Sequence, residues 1–301
     1  MNRTGLKDVP LFLVYQTVSS LFFLLPRPLC LGLGRAFGRL AFRLDLKHRR
    51  LALVNLQIAF GSSRSPADRE RIARSSFANF GQVMADLIKM PFLSDKRREA
   101  LLRLEGGDNL RRALEGGRGA LIFTGHFGNW EVAAFPLSRI AVLNVIAREL
   151  DNKLVERRLL RLRNGLGGRV IYKNRAAREV LQALGRNETT AIVIDQNVLR
   201  REGVFVDFFG RPASTTPALA AFHLRTGAPL LPLTCHTFPD GSYRLCLDRP
   251  LVFQPSGRQA ADVLKITQLC TKIIEAQVRE KPELWLWFHD RWRSRPAENN
   301  G

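Results

Sequence analysis

The sequence predicts a single α/β domain with a central, mostly parallel mixed sheet flanked by helices, plus an N-terminal hydrophobic membrane-anchoring helix. Three observations carry this. Apolar runs at 119–124, 141–147 and 190–194, each ended by glycine or a polar residue, read as buried strands. Segments of helical spacing lie between them, so strand and helix alternate. The chain has 301 residues, 46% of them hydrophobic, which is enough to bury one full core.

Val9 to Leu25 is a stretch of 17 residues without a charge, ended by Pro26-Arg27-Pro28. It is at the short limit for a spanning helix and is diluted by Gln16, Thr17, Ser19 and Ser20. It suits an uncleaved anchor, spanning or lying in the interface; a buried core helix is the alternative. A cleaved signal fits poorly, because few basic residues precede the run and no small-x-small site follows. Residues 27–50 then carry Arg27, Arg35, Arg39, Arg43, Lys47, Arg49 and Arg50 against the single acid Asp45. Arg35, Arg39 and Arg43 recur every four residues beside Leu33, Phe37 and Leu40, giving a helix with a basic face next to an apolar one. Such a helix fits anionic headgroups, and the positive-inside tendency puts the rest of the chain on the cytoplasmic side; a solvated helix face is the plainer reading.

Asn55 to Phe60 ends at Gly61, and Ser65-Pro66-Ala67-Asp68 is a capped start for a helix running to Met90. A short helix, Leu110 to Leu114, leads through turn glycines to the strand at 119–124. Directly after it stands Gly125-His126-Phe127-Gly128-Asn129-Trp130-Glu131, and then a helical start at Val132. His126 is therefore expected at a strand end, with Glu131 in the first helical turn, reaching back to hold one imidazole nitrogen and leaving the other as a base. On spacing and context alone, a hydrogen-bonded structural histidine fits as well as a catalytic one.

The strand at 141–147 delivers Arg148 to the same edge, where its guanidinium is a fork for phosphate or carboxylate or simply a surface charge. A basic helix follows at 152–163, then a glycine turn and a strand at 170–172. The glycines match neither G-x-G-x-x-G nor a GKS loop, so no nucleotide site is read there. The strand at 190–194 ends in Asp195-Gln196, and the run Gly203 to Thr216 follows. Late strands at 227–233 and 243–247 are joined through Pro239-Asp240-Gly241. A helix at 266–278 precedes the aromatic and arginine-rich block 282–293, read as a closing element with one buried side; the tail after Pro296 is expected to be mobile.

Net charge is +20, which points to polyanionic partners. The four cysteines, at 30, 235, 246 and 270, have neither metal-ligand spacing nor the density of a disulfide framework. His223 and His236 lack metal-like neighbours, and no H-E-x-x-H occurs, so no cofactor or metal is expected. Without G-x-S-x-G or a cysteine nucleophile motif, no side chain is marked as a covalent nucleophile. A nucleic-acid binder would use the charge, yet no reader motif is present.

His126-Phe127-Gly128-Asn129-Trp130-Glu131, with its His-x4-acid pattern, resembles the first block of the late acyltransferases of lipid A biosynthesis, the lauroyl and myristoyl transferases, within the larger glycerolipid acyltransferase superfamily. Asn55-Leu56 to Phe60, Asp195-Gln196, Phe208-Phe209-Gly210-Arg211-Pro212-Ala213 and the block from Pro282 to Arg293 resemble later family blocks in the same order. The resemblance implies a glycerol-3-phosphate acyltransferase-like fold, with an anchor and basic segment at 1–50, the acyltransferase domain at 51–296 and a tail at 297–301. It implies acyl transfer from acyl carrier protein to a hydroxyl of a phosphorylated lipid A precursor, at the cytoplasmic face of the bacterial inner membrane. His126 and Glu131 are then the catalytic pair, and Asn129, Arg148, Asp195, Gln196, Gly210 and Arg211 bind substrate, with Asp195 also free to pair with Arg148. Asn197 departs from the acid more usual after Asp-Gln. A phosphatidylinositol mannoside acyltransferase using acyl-CoA shares the same logic.

Overall fold

The computed structural model describes residues 9–297, so the tail expected from 297 lies, beyond its first residue, outside the described residues. The chain opens on helices. α1 (Val9–Leu24) takes up the uncharged run, and α2 (Arg27–Leu44) begins with proline in its first turn, where the missing N–H costs nothing. α3 (Leu46–Phe60) is capped by Asp45, whose carboxylate accepts from His48 N–H at 3.0 Å. α4 (Pro66–Lys89) starts as the sequence signals, with Ser65 Oγ accepting from Asp68 N–H at 3.1 Å.

Among the described residues no helix is long and apolar enough to cross a membrane, and α1 has 16 residues. α1 packs by Phe22 against Cys30, Leu31 and Ala85, while Leu13, Val14, Leu21 and Leu24 stay exposed. Of the basic residues in this region, Arg39, Arg43, Lys47 and Arg50 are exposed. Arg35 turns instead to Gln82 Oε1 at 2.9 Å. Arg27 is not a surface charge at all: Nε and Nη2 donate to the buried Asp86 carboxylate at 2.8 and 2.7 Å, and Nη2 also donates to Gly241 O at 2.6 Å. Burial opposes its charge, but the Asp86 pair outweighs burial and raises its pKa above the ordinary value.

The remaining elements are α5 (Asp95–Leu101), β1 (Leu102–Glu105), α6 (Gly107–Glu115), β2 (Ala120–Thr124), α7 (Ala134–Ser138), β3 (Leu143–Ala147), α8 (Lys153–Gly165), β4 (Gly168–Tyr172), α9 (Ala176–Gly185) and β5 (Thr189–Val193). They continue with β6 (Val204–Phe208), β7 (Arg211–Thr215), α10 (Ala218–Thr226), β8 (Leu230–Thr237), β9 (Tyr243–Leu247) and α11 (Gln259–Glu280). Seven strands form one sheet in the order β1-β9-β8-β2-β5-β3-β4, parallel throughout except between β8 and β9. β6 and β7 make a separate antiparallel hairpin. All five residues of β2 are buried. Leu121 and Phe123 face one core cluster and Ala120 and Ile122 the other, as the two-residue period of a strand requires. Each large apolar side chain so buried contributes about 1.5–3 kcal/mol. That anchors the strand from which His126 emerges.

Candidate active site

β2 and β5 are parallel neighbours with Thr124 opposite Val193. His126 and Asp195 each follow two residues beyond that pair, so the register alone brings them together. His126 Nδ1 lies 2.7 Å from Asp195 Oδ1, and the His126 backbone N–H donates to Asp195 Oδ2 at 2.7 Å. Trp285 Nε1–H donates to the same Oδ2 at 2.7 Å. Gly125 makes room for this approach, since a Cβ there would stand 3.0 Å from Asp195 Oδ2 and 3.1 Å from Ile274 Cγ2.

Asp195 is buried, which by itself would raise its pKa; the charge of His126 and the converging N–H donors more than offset this and hold the carboxyl at about 2. In the neutral imidazole, an ionised Asp195 accepting from Nδ1–H selects the tautomer whose lone pair is on Nε2. The His126 side chain is 18% exposed and meets the Trp130 ring edge-on at 4.8 Å. Its Nε2 lies 3.3 Å from the side-chain amide nitrogen of Gln196.

The tether expected from Glu131 is made by Asp195. After Gly128, whose φ of +59° turns the chain, residues Trp130–Ala133 form a 3-10 turn. Glu131 there meets Arg163 from α8: Nη2 donates to Oε1 at 2.5 Å and Nε to Oε2 at 3.1 Å. Gly128 itself has no space for a side chain, as a Cβ would stand 2.0 Å from Cys235 O.

The other expected site residues scatter. Arg148 leaves the end of β3 with 81% of its side chain exposed, 3.9 Å from Asp151 and unpaired with Asp195. Gly210 and Arg211 sit exposed at the β6–β7 turn, and among the described residues no hydrogen bond joins them to His126. Asn129 is fully buried, so the ligand contact expected of it has no open surface to use. Sequence reasoning did not foresee Trp285 on Asp195, nor His289, whose Nε2 accepts from Asn197 N–H at 2.9 Å. The pairing of His126 with Asp195 had a signal available, two buried strands each delivering a polar side chain just past its end. Cys235 and Cys270 are buried thiols pushed up to about 12 by that burial, a poor state for a nucleophile.

An apolar groove of about 440 Å³ runs between α1, α2 and α4, lined by residues that include Phe22, Phe37, Phe77, Phe80, Met84 and Phe288. Phe288 directly precedes His289, so one segment serves both the groove wall and the Asp195 loop. His48 stands at the groove too, bonded through Nδ1 to Asp45 Oδ2 at 2.6 Å.

Residues 8–294 match the family described as bacterial lipid A biosynthesis acyltransferase. The chain is 27% identical over 275 residues to a lipid A biosynthesis palmitoleoyltransferase of Escherichia coli, covering 91% of this chain and 88% of that protein. It is 25% identical over 276 residues to a lipid A biosynthesis lauroyltransferase of the same organism, covering 90% and 88%. A phosphatidylinositol mannoside acyltransferase of Mycolicibacterium smegmatis is 26% identical over 234 residues, covering 76% and 75%. With its sheet and His126 site inside the matched span, the chain belongs to the bacterial lipid A biosynthesis acyltransferase family.

Proposed function

We propose that this chain transfers a fatty acyl group from acyl carrier protein to a hydroxyl of a phosphorylated lipid A precursor, with His126 as general base. The observation that carries the reading is the imidazole at the carboxyl edge of the sheet, held at Nδ1 by the ionised Asp195 with Nε2 turned away from that carboxylate. His126 Nε2 takes the hydroxyl proton as the oxygen attacks the thioester carbon. The tetrahedral oxyanion then collapses, the C–S bond breaks, and the departing sulfur takes the proton from the imidazolium. Asp195 stabilises that imidazolium without itself being protonated.

Glu131 enters through Arg163, fixing the turn that follows His126 and the neighbouring end of α8. Arg148, whose acid neighbour Asp151 is 3.9 Å away and itself exposed, is offered to a phosphate of the acceptor, and Gln196 and the Gly210-Arg211 turn to its polar groups. The apolar groove takes an alkyl chain. The exposed apolar residues Leu33, Phe37, Leu40 and Leu44, next to Arg39 and Arg43, suit the surface of an anionic bilayer at the cytoplasmic face of the inner membrane.

The test is the purified chain with acyl carrier protein thioesters and a phosphorylated lipid A precursor, the product identified by mass spectrometry. Acylated precursor with wild type and none with His126→Ala is expected; equal product from both defeats the mechanism. The mycobacterial relatives favour a second reading, acyl transfer to a phosphatidylinositol mannoside, and the same assay with that acceptor and acyl-CoA as donor decides between them.

A further inference from the structure

The carboxyl-terminal block grips the loop after β5 residue by residue. Trp285 donates to Asp195, Arg291 Nη1 donates to Gln196 O at 3.3 Å, His289 accepts from Asn197 N–H, and Ser294 Oγ donates to Val198 O at 3.0 Å. Arg291 is the physically unexpected member. It is 0% exposed, and among the described residues no carboxylate lies within 4 Å of its guanidinium. Its further partners are neutral: Nη1 donates to Ser214 O at 2.7 Å and Nη2 to Thr215 Oγ1 at 2.5 Å, with the Phe208 ring centroid 5.3 Å from Cζ.

A buried cation without an acid beside it is unfavourable, and an apolar side chain of similar volume would pack there more readily. Burial pushes Arg291 down to about 10, with the Asp195 charge offsetting part of the effect, so it remains a cation at neutral pH. What an apolar residue lacks is the rigid fork. Here the fork joins two segments, the end of β7 and the peptide immediately after Asp195. That peptide matters because Asp195 addresses His126 Nδ1 while the Gln196 side chain lies at Nε2. A shift of the Gln196 carbonyl displaces both groups that face the imidazole.

We infer that Arg291 is a positioning residue of the acyl-transfer site: by holding the Gln196 carbonyl against the end of β7, it keeps Asp195 and Gln196 aligned on the two nitrogens of His126. This rests on the acyltransferase reading above. Arg291→Lys keeps the charge and loses the fork. Thr215→Val keeps Arg291 and removes one acceptor. For Arg291→Lys, kcat per folded molecule is expected to fall on the order of 100-fold, with KM for donor and acceptor within about threefold of wild type. Thr215→Val is expected to show a smaller fall in kcat of the same kind. In spectra of histidine labelled with ¹⁵N, the His126 signal should change from one neutral tautomer to a mixture in Arg291→Lys.

Wild-type kcat per folded molecule in Arg291→Lys, while His126→Ala is inactive, overturns this inference and leaves the acyltransferase reading standing. If Arg291→Lys does not fold, Thr215→Val decides: a lower kcat at unchanged KM supports the inference, and a wild-type kcat overturns it. His126→Ala as active as wild type defeats the acyltransferase reading, and this inference with it.

Discussion

Asp195 Oδ1 lies 2.7 Å from His126 Nδ1, across a parallel register in which Thr124 faces Val193. The pair joins residues 69 positions apart, and its geometry is set by two buried strands rather than by a flexible loop. Asp195→Asn preserves the size of the side chain and removes the charge. An amide can present N–H to Nδ1, which turns the imidazole to the tautomer that has no lone pair at Nε2. The expected result is a fall in kcat on the order of 10³-fold or more with little change in KM, measured at saturating donor and acceptor. A loss under tenfold would reject Asp195 as the orienting group.

The same carboxyl makes stability depend on acid pH. Its folded pKa, about 2, lies below the ordinary 3.8. A depressed carboxylate stabilises the fold fully above the unfolded value, and that contribution is lost as pH falls through the folded value. Melting temperature of the wild type is therefore expected to drop more steeply between roughly pH 4 and pH 2 than that of Asp195→Asn. Parallel curves across that window would show that the charge is not held as described.

Glu131 and Arg163 form a two-pronged pair with 9% and 19% of their side chains exposed. Removing either partner leaves the other largely out of water, so Glu131→Gln or Arg163→Met is expected to cost about 2–4 kcal/mol of stability. The double variant should cost less than the sum of the two, as measured by chemical denaturation. Glu131→Gln leaves the Asp195 contact in place and is expected to lose less kcat than Asp195→Asn. If Glu131→Gln were as inactive as Asp195→Asn while melting like wild type, Glu131 would have to act on the substrate directly.

Strands β2, β3 and β5, the capped start of α4 and the placement of His126 at a strand end were legible because each depends on local pattern: apolar runs, a Ser-Pro cap, a glycine stop. The partner of His126 was not legible from local spacing. A spacing of five residues put Glu131 one helical turn away, whereas Gly128 and the 3-10 turn redirect it towards Arg163. Which carboxylate reaches the ring was decided by strand order, a property of the whole sheet. Arg27 shows the same limit: among seven basic residues in one segment, nothing local marks the one that folds inward onto Asp86. β1, with one of its four residues buried, carries too little pattern to be read as a strand.

The crossing of α2 and α4 depends on absent side chains. A Cβ on Gly81 would stand 2.0 Å from Gly34 O and 2.9 Å from Gly34 C, so the two backbones have no room for a methyl group. Gly81→Ala gains helix propensity of about 1 kcal/mol. It must also push the helices apart, and overpacking of this kind typically costs about 1–3 kcal/mol, more where the obstacle is backbone. The obstacle here is a main-chain carbonyl, so net destabilisation is expected, with α2 released to limited proteolysis earlier than the sheet. A variant as stable as wild type would mean that the helices separate freely.

The groove should also set which acyl chain is used. Met84 lines it from α4, between Gly81 and Ala85, with Phe22 and Phe37 contributed from the other two helices. Met84→Trp fills space an alkyl chain would occupy while keeping the wall apolar. One methylene in a hydrophobic site is worth about 1–3 kcal/mol, or roughly 10–200-fold in kcat/KM. The ratio of kcat/KM for long against short acyl donors is therefore expected to fall at least tenfold, chiefly through the long donor. If Met84→Trp left that ratio unchanged, the groove would not hold the transferred chain, and the acyl tail would have to lie elsewhere.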